Sequence, residues 1–145
     1  MHSFLLIGLD PQHIDYTAPG VPSGRTSESL NAEVAEIRKR FSDQGDRCDL
    51  CTIQPDVSAE APVTTQLARA TYDCVLIGGG IRQPGNDKLF ERIINSIHRL
   101  APTAAIGFVD HPKEGLKTAA RVLSEDFKRA RLLSPSIALN NGERQ

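Results

Sequence analysis

The sequence predicts an α/β fold: a doubly wound parallel sheet of about four strands with helices on both faces. Two observations carry this. Short, almost uninterrupted apolar runs recur along the chain, as expected of strands covered on both faces. Segments with helical periodicity lie between them, and alternation of this kind defines the doubly wound class.

Four runs are read as strands: Phe4 to Leu9, Arg47 to Ile53, Cys74 to Ile77 and Ala104 to Val109. The second is the weakest, because Asp49 interrupts it. Leu30, Val34, Ile37 and Phe41 form one stripe of a first helix, with apolar residues recurring every three or four positions. Thr26 or Ser27 is positioned to cap its start and Gly45 to end it. Glu36 and Arg40 make an i, i+4 pair on its exposed side. Val63, Leu67 and Ala70 outline a second helix, with Pro62 in its first turn. Phe90, Ile93, Ile94, Ile97 and Ala101 make the strongest stripe. Asn86 is its expected cap, Asp87 suits its positive end, and His98 and Arg99 suit its negative end. A fourth helix is expected from Pro112, carrying Leu116, Ala119, Ala120 and Leu123.

Residues 1–124 thus read as one domain, and 125–145 as an extension that is helical and then irregular. The apolar stretch Leu132 to Leu139 needs cover, on its own domain, at a sheet edge or in a homodimer. The Pro- and Gly-rich loop from Asp10 to Thr26 also falls outside the pattern.

At 145 residues the chain can bury a sizeable core without staples. A net charge of -1 argues against general attraction to nucleic acid or anionic lipid. Scarce aromatics and the absence of Trp argue against a base-stacking platform. No stretch approaches the roughly 20 apolar residues of a membrane span. The three cysteines are an odd set that fits a reduced cytoplasmic protein.

Open α/β sheets bind ligands beyond the carboxyl ends of their strands, where strand order reverses. With the order 2-1-3-4 that point lies between the first and third strands. The loop from Asp10 and the run Gly78-Gly79-Gly80-Ile81-Arg82 would then face each other. Glycines expose backbone N–H groups, and such a turn beside a cation can hold an anion. The expected ligand contacts are therefore Gly78, Gly79, Gly80, Ile81 and Arg82, with Asp10 opposite. The competing reading is that the turn simply needs φ > 0, or that a neighbour packs on bare backbone. The run matches neither nucleotide template: Gln83 stands where the dinucleotide fingerprint has its third glycine, and Asn86-Asp87 stand where the P-loop has Lys and Ser/Thr.

Asp10, His13 and His111 are weak catalytic candidates, since an acid or base at a strand end reaches the crevice. Each also has a plain structural reading: Asp10 and His111 precede prolines, and His13 suits solvent. Asp15 and Tyr16 share the first loop, and Arg25 could supply a second cation. Cys48-x-x-Cys51 lacks the second ligand pair that zinc requires. Residues three apart on a strand face opposite sides, so the reading is buried structural thiols.

Gly78-Gly79-Gly80-Ile81-Arg82, with Leu89-Phe90-Glu91, Ile94-Asn95, His98, Ala101-Pro102 and the opening Ile7-Gly8-Leu9-Asp10-Pro11, resembles a group of small uncharacterised bacterial proteins. The resemblance covers most of the chain up to about Val122. It implies a flavodoxin-like fold and no particular activity. Other proteins of that fold fit poorly. A receiver domain carries a phospho-accepting Asp where this chain has Gly78, and a flavodoxin a Ser/Thr-rich phosphate loop where it has Asp10-Pro11. A cobalamin-binding domain has Asp-x-His-x-x-Gly, a spacing Asp10-Pro11-Gln12-His13 does not match.

The expected function is binding of a small phosphate- or carboxylate-bearing ligand, with hydrolysis or group transfer as an extension. The alternative is a non-catalytic regulatory or protein-interaction module. No metal site is predicted, and no cofactor is identified.

Overall fold

A computed structural model describes residues 1–19 and 21–124 and the helical backbone of 125–133. The strands are β1 (Ser3–Leu9), β2 (Arg47–Ile53), β3 (Cys74–Gly78) and β4 (Ala105–Val109). The helices are α1 (Ser27–Asp43), α2 (Glu60–Arg69), α3 (Asp87–Leu100) and α4 (Gly115–Leu133). All strand pairs are parallel, in the order β2-β1-β3-β4. This is the flavodoxin-like α/β arrangement that the alternation predicts.

The pleat sorts the apolar runs onto two faces. Leu5, Ile7, Leu9, Val75 and Ile77 pack with Val63 and Leu67 of α2 and Ile93 and Ile97 of α3. Phe4, Leu6, Cys74 and Leu76 pack with Ile37 and Phe41 of α1 and Ala119 of α4. The rings of Phe4 and Phe41 lie 4.6 Å apart, centroid to centroid. A run buried on alternate sides can be apolar throughout, which is why β1 and β3 show no polar alternation.

β2 forms despite Asp49 because it is an edge strand. The Asp49 carboxylate accepts from the Tyr72 hydroxyl at 2.5 Å and lies 3.4 Å from Nε of Arg47. Cys48 joins one core and Cys51 the other, as their spacing requires. With Cys74 they are buried thiols outside any disulfide.

Thr26 caps α1 reciprocally with Ser29, each side chain accepting from the other's backbone N–H. Gly45 follows the helix at φ +86°, the left-handed geometry that favours glycine. Asn86 behaves differently from expectation. Its side chain makes no cap bond; Nδ2 instead donates to the carbonyl of Gly80 at 2.9 Å. At Pro112–Glu114 the chain makes a single 3-10 turn, and α4 begins only at Gly115. There a Cβ would sit 3.0 Å from Cγ1 of Ile37, so Gly115 lets α1 and α4 approach closely.

α4 runs through Leu133 and so crosses the boundary drawn at residue 124. Residues 134–145, which include most of the apolar stretch on which the expectation of a dimer rests, lie outside the described residues. No described helix is long and apolar enough to cross a membrane.

Candidate functional site: a cleft at the carboxyl edge of the sheet

The glycine run ends β3 at the centre of the sheet. None of its three glycines has a positive φ; among the described residues only Gly24, Gly45 and Gly85 do. Close approach explains Gly79 and Gly80 instead, while at Gly78 a Cβ would make only ordinary contact. A Cβ at Gly78 would lie 3.4 Å from the carbonyl oxygen of Ile7. At Gly79 it would lie 3.2 Å from Oδ1 of Asp110, and at Gly80 3.0 Å from Cδ1 of Leu9. The φ > 0 reading of this turn is therefore corrected.

Ile81 also needs correction as a ligand contact. Its side chain is fully buried in the core, and its N–H donates to the Gly78 carbonyl. The Arg82 N–H is likewise taken up by the Gly79 carbonyl. The Gly79 N–H continues the β3–β4 ladder toward the Val109 carbonyl, whereas the Gly80 amide has no acceptor among the described residues.

Two adjoining cavities, of about 90 and about 280 Å3, open at this edge. They share Ile14, Arg25, Gly79, Gly80 and Asp110 as walls. The first loop and the glycine run thus converge. Together the cavities lie at the small end of the roughly 300–1,000 Å3 range of small-molecule sites.

The smaller cavity lies on the α1 side of the sheet. Its floor is Gly8 of β1, where a Cβ would meet no atom within 4 Å. Leu30 and Val34 of α1 and Leu50 of β2 wall it, with Asn31 and Thr52 as polar neighbours. A glycine inside a strand forgoes packing and costs conformational entropy. Its presence in the otherwise apolar Phe4 to Leu9 run is the signal in the sequence for this space.

Arg25 is the deepest cation. Its side chain is only a tenth exposed. Nη2 donates to Oε2 of Glu33 at 3.0 Å and meets Nδ1 of His111 at 2.9 Å. A guanidinium has donors only, so Nδ1 is the acceptor. His111 is therefore neutral here, with its proton on Nε2. This occupies the lone pair that a general base would use.

Arg82 stacks on Phe108, 4.9 Å from the ring centroid, and Nη2 reaches Oδ1 of Asp110 at 2.5 Å. Its Nε is buried without an acceptor among the described residues. The cation expected to face the ligand is thus already paired, while the Asp110 side chain is three-quarters exposed.

Asp10, expected opposite the glycine run, lines neither cavity. Its Oδ1 accepts from the Gln12 N–H at 3.0 Å, capping a 3-10 turn over Pro11–His13, and Oδ2 lies 3.7 Å from His13. Leu9 and Pro11, not Asp10, line the cleft. His13 is over two-fifths exposed and lines neither cavity. Asp15 holds Thr17 through its N–H and hydroxyl, and those bonds lower its pKa. The Tyr16 hydroxyl donates to the Pro11 carbonyl at 2.6 Å and fastens the loop. His98 sits in the last turn of α3. Among the described residues no three His, Cys, Asp or Glu side chains converge as a metal site requires.

No family model matches the chain, and a search of curated proteins finds no match.

Proposed function

We propose that this chain binds a small ligand bearing a carboxylate or phosphate at the carboxyl edge of its sheet. The observation that carries the reading is the shared wall. Arg25 from the first loop and Gly79 and Gly80 from the end of β3 border both cavities. The Gly80 amide and the largely buried Arg25 guanidinium are suitable donors for an anionic head. Asp110 is a weak competitor for Arg82, because exposed ion pairs contribute little and are readily exchanged.

Binding, rather than hydrolysis or group transfer, is what the surroundings support. Asp10 is a turn cap, His13 lines neither cavity, and the His111 acceptor is occupied. Buried thiols at Cys48, Cys51 and Cys74 favour a reducing, cytoplasmic setting.

A thermal-shift screen tests the reading with inorganic phosphate, nucleotides, flavins and small carboxylates. At least one should raise the unfolding midpoint in a saturable way, and Arg25→Gln should reduce that rise. If no compound moves the midpoint, or if Arg25→Gln and Arg82→Ala leave the rise unchanged, the proposal fails.

A further inference from the structure

We infer that the ligand is a short, branched aliphatic monocarboxylate, whose body fills the space over Gly8 while its carboxylate meets Arg25. The inference rests on the binding reading above and adds the chemistry of the body and the charge of the head.

The body follows from the smaller cavity. Gly8 floors it with bare backbone, and Leu30, Val34 and Leu50 wall it. Phe4 and Leu6, on the same face of β1, pack against the helices. At Gly8 the same face leaves room that any side chain would occupy. Keeping a strand glycine there sacrifices packing on the site's behalf. Apolar walls reward an apolar group, at about 0.8 kcal/mol per buried CH2. The volume of about 90 Å3 is less than the roughly 150 Å3 of an engineered cavity that takes up benzene. This points to a branched chain smaller than an aromatic ring.

The head follows from the charge balance. Arg25 is paired with Glu33, and Arg82 with Asp110. The two guanidiniums are already offset by two carboxylates, so the site offers hydrogen-bond donors more than surplus positive charge, which suits a monoanion better than a dianion such as a phosphate monoester. A single carboxylate needs less. It can accept from Arg25 and from the Gly80 amide, both of which border the two cavities. Arg25 borders both cavities, so a head held there leaves the body free to lie over Gly8.

Calorimetric titration of the full chain with isovalerate, acetate and inorganic phosphate tests this. Isovalerate should bind about tenfold or more tighter than acetate, as burial of its extra carbons requires, and phosphate should not compete with it. Gly8→Leu should weaken isovalerate about tenfold or more while the unfolding midpoint stays or rises. Val34→Phe, which fills the same space from α1, should do likewise if Gly8→Leu misfolds. Equal affinity for isovalerate and acetate, or full isovalerate affinity in both filled variants, overturns the inference. Phosphate binding that is sensitive to Arg25→Gln but not to Gly8→Leu would also overturn it, while leaving the anion-binding proposal standing. Absence of binding by all three probes would count against both.

Discussion

Nη2 of Arg25 lies 2.9 Å from Nδ1 of His111, a contact between residues 86 positions apart. It fastens the loop after β1 to the end of β4 beside the cleft wall that Arg25 forms. The bond requires neutral imidazole, because the guanidinium offers only donors.

Removing the imidazole should therefore loosen the first loop without unfolding the sheet. His111→Ala is expected to cost about 1 kcal/mol, in the usual range for a partly buried hydrogen bond. Arg25→Gln should cost more, since it also leaves Glu33 unpaired. The double variant should cost less than the two single losses added together, because they share one network. Urea unfolding of the three variants checks each value.

The glycines of the turn should respond differently to enlargement. At Gly79 a Cβ meets Asp110 at backbone as well as side chain, 3.4 Å from its Cα. Gly79→Val is expected to lose about 1–3 kcal/mol by overpacking and to break the Arg82–Asp110 pair. At Gly80 the obstacle is the side chain of Leu9, whose branched end can turn aside. Gly80→Ala should cost less than about 1.5 kcal/mol. Neither change meets backbone strain, since φ is not positive at either position. Thermal unfolding distinguishes them.

The layers of this fold were legible because their causes are local. Continuous apolar runs mark doubly covered strands, and the stripe Phe90, Ile93, Ile94, Ile97 marks a helix. The site was legible only in outline. Gly78 to Gly80 announced a special turn, but not that close packing, rather than φ, demands Gly79 and Gly80. Asp10 read as a cleft residue because strand ends face the crevice; the proline after it starts a turn that uses its carboxylate as a cap. Asn86 read as a cap because it precedes a helix, yet it bonds Gly80. Pairings such as Arg25 with His111 and Arg82 with Asp110 join distant segments. No local pattern encodes them.

The thiols should be slow to react. Burial raises the Cys48 thiol to about 11 and also pushes Cys51 up. Because the thiolate is the reactive form, native protein at neutral pH should show little labelling by a thiol-specific disulfide reagent. All three cysteines should react after denaturation. Prompt labelling of Cys48 in the native protein would contradict its burial.

Tyr72 should make stability fall at alkaline pH. Burial first, and then its bond to Asp49, raise the pKa of its hydroxyl. A raised folded value means the proton is held more tightly in the native state. The resulting stability is fully present below the unfolded value of about 10 and is lost as pH rises through the folded value. Tyr72→Phe should cost about 1–2 kcal/mol near neutral pH by leaving Asp49 short of a donor. It should also reduce the alkaline loss. Urea midpoints measured against pH test both statements.

The most direct test of the cleft is an amide-resolved NMR titration of the 15N-labelled chain with isovalerate and, separately, with inorganic phosphate. The Gly79 and Gly80 amide resonances should move in a saturable way with at least one of them, and Arg25→Gln should weaken that response. Resonances at Gly79 and Gly80 that stay fixed in both titrations would contradict the account.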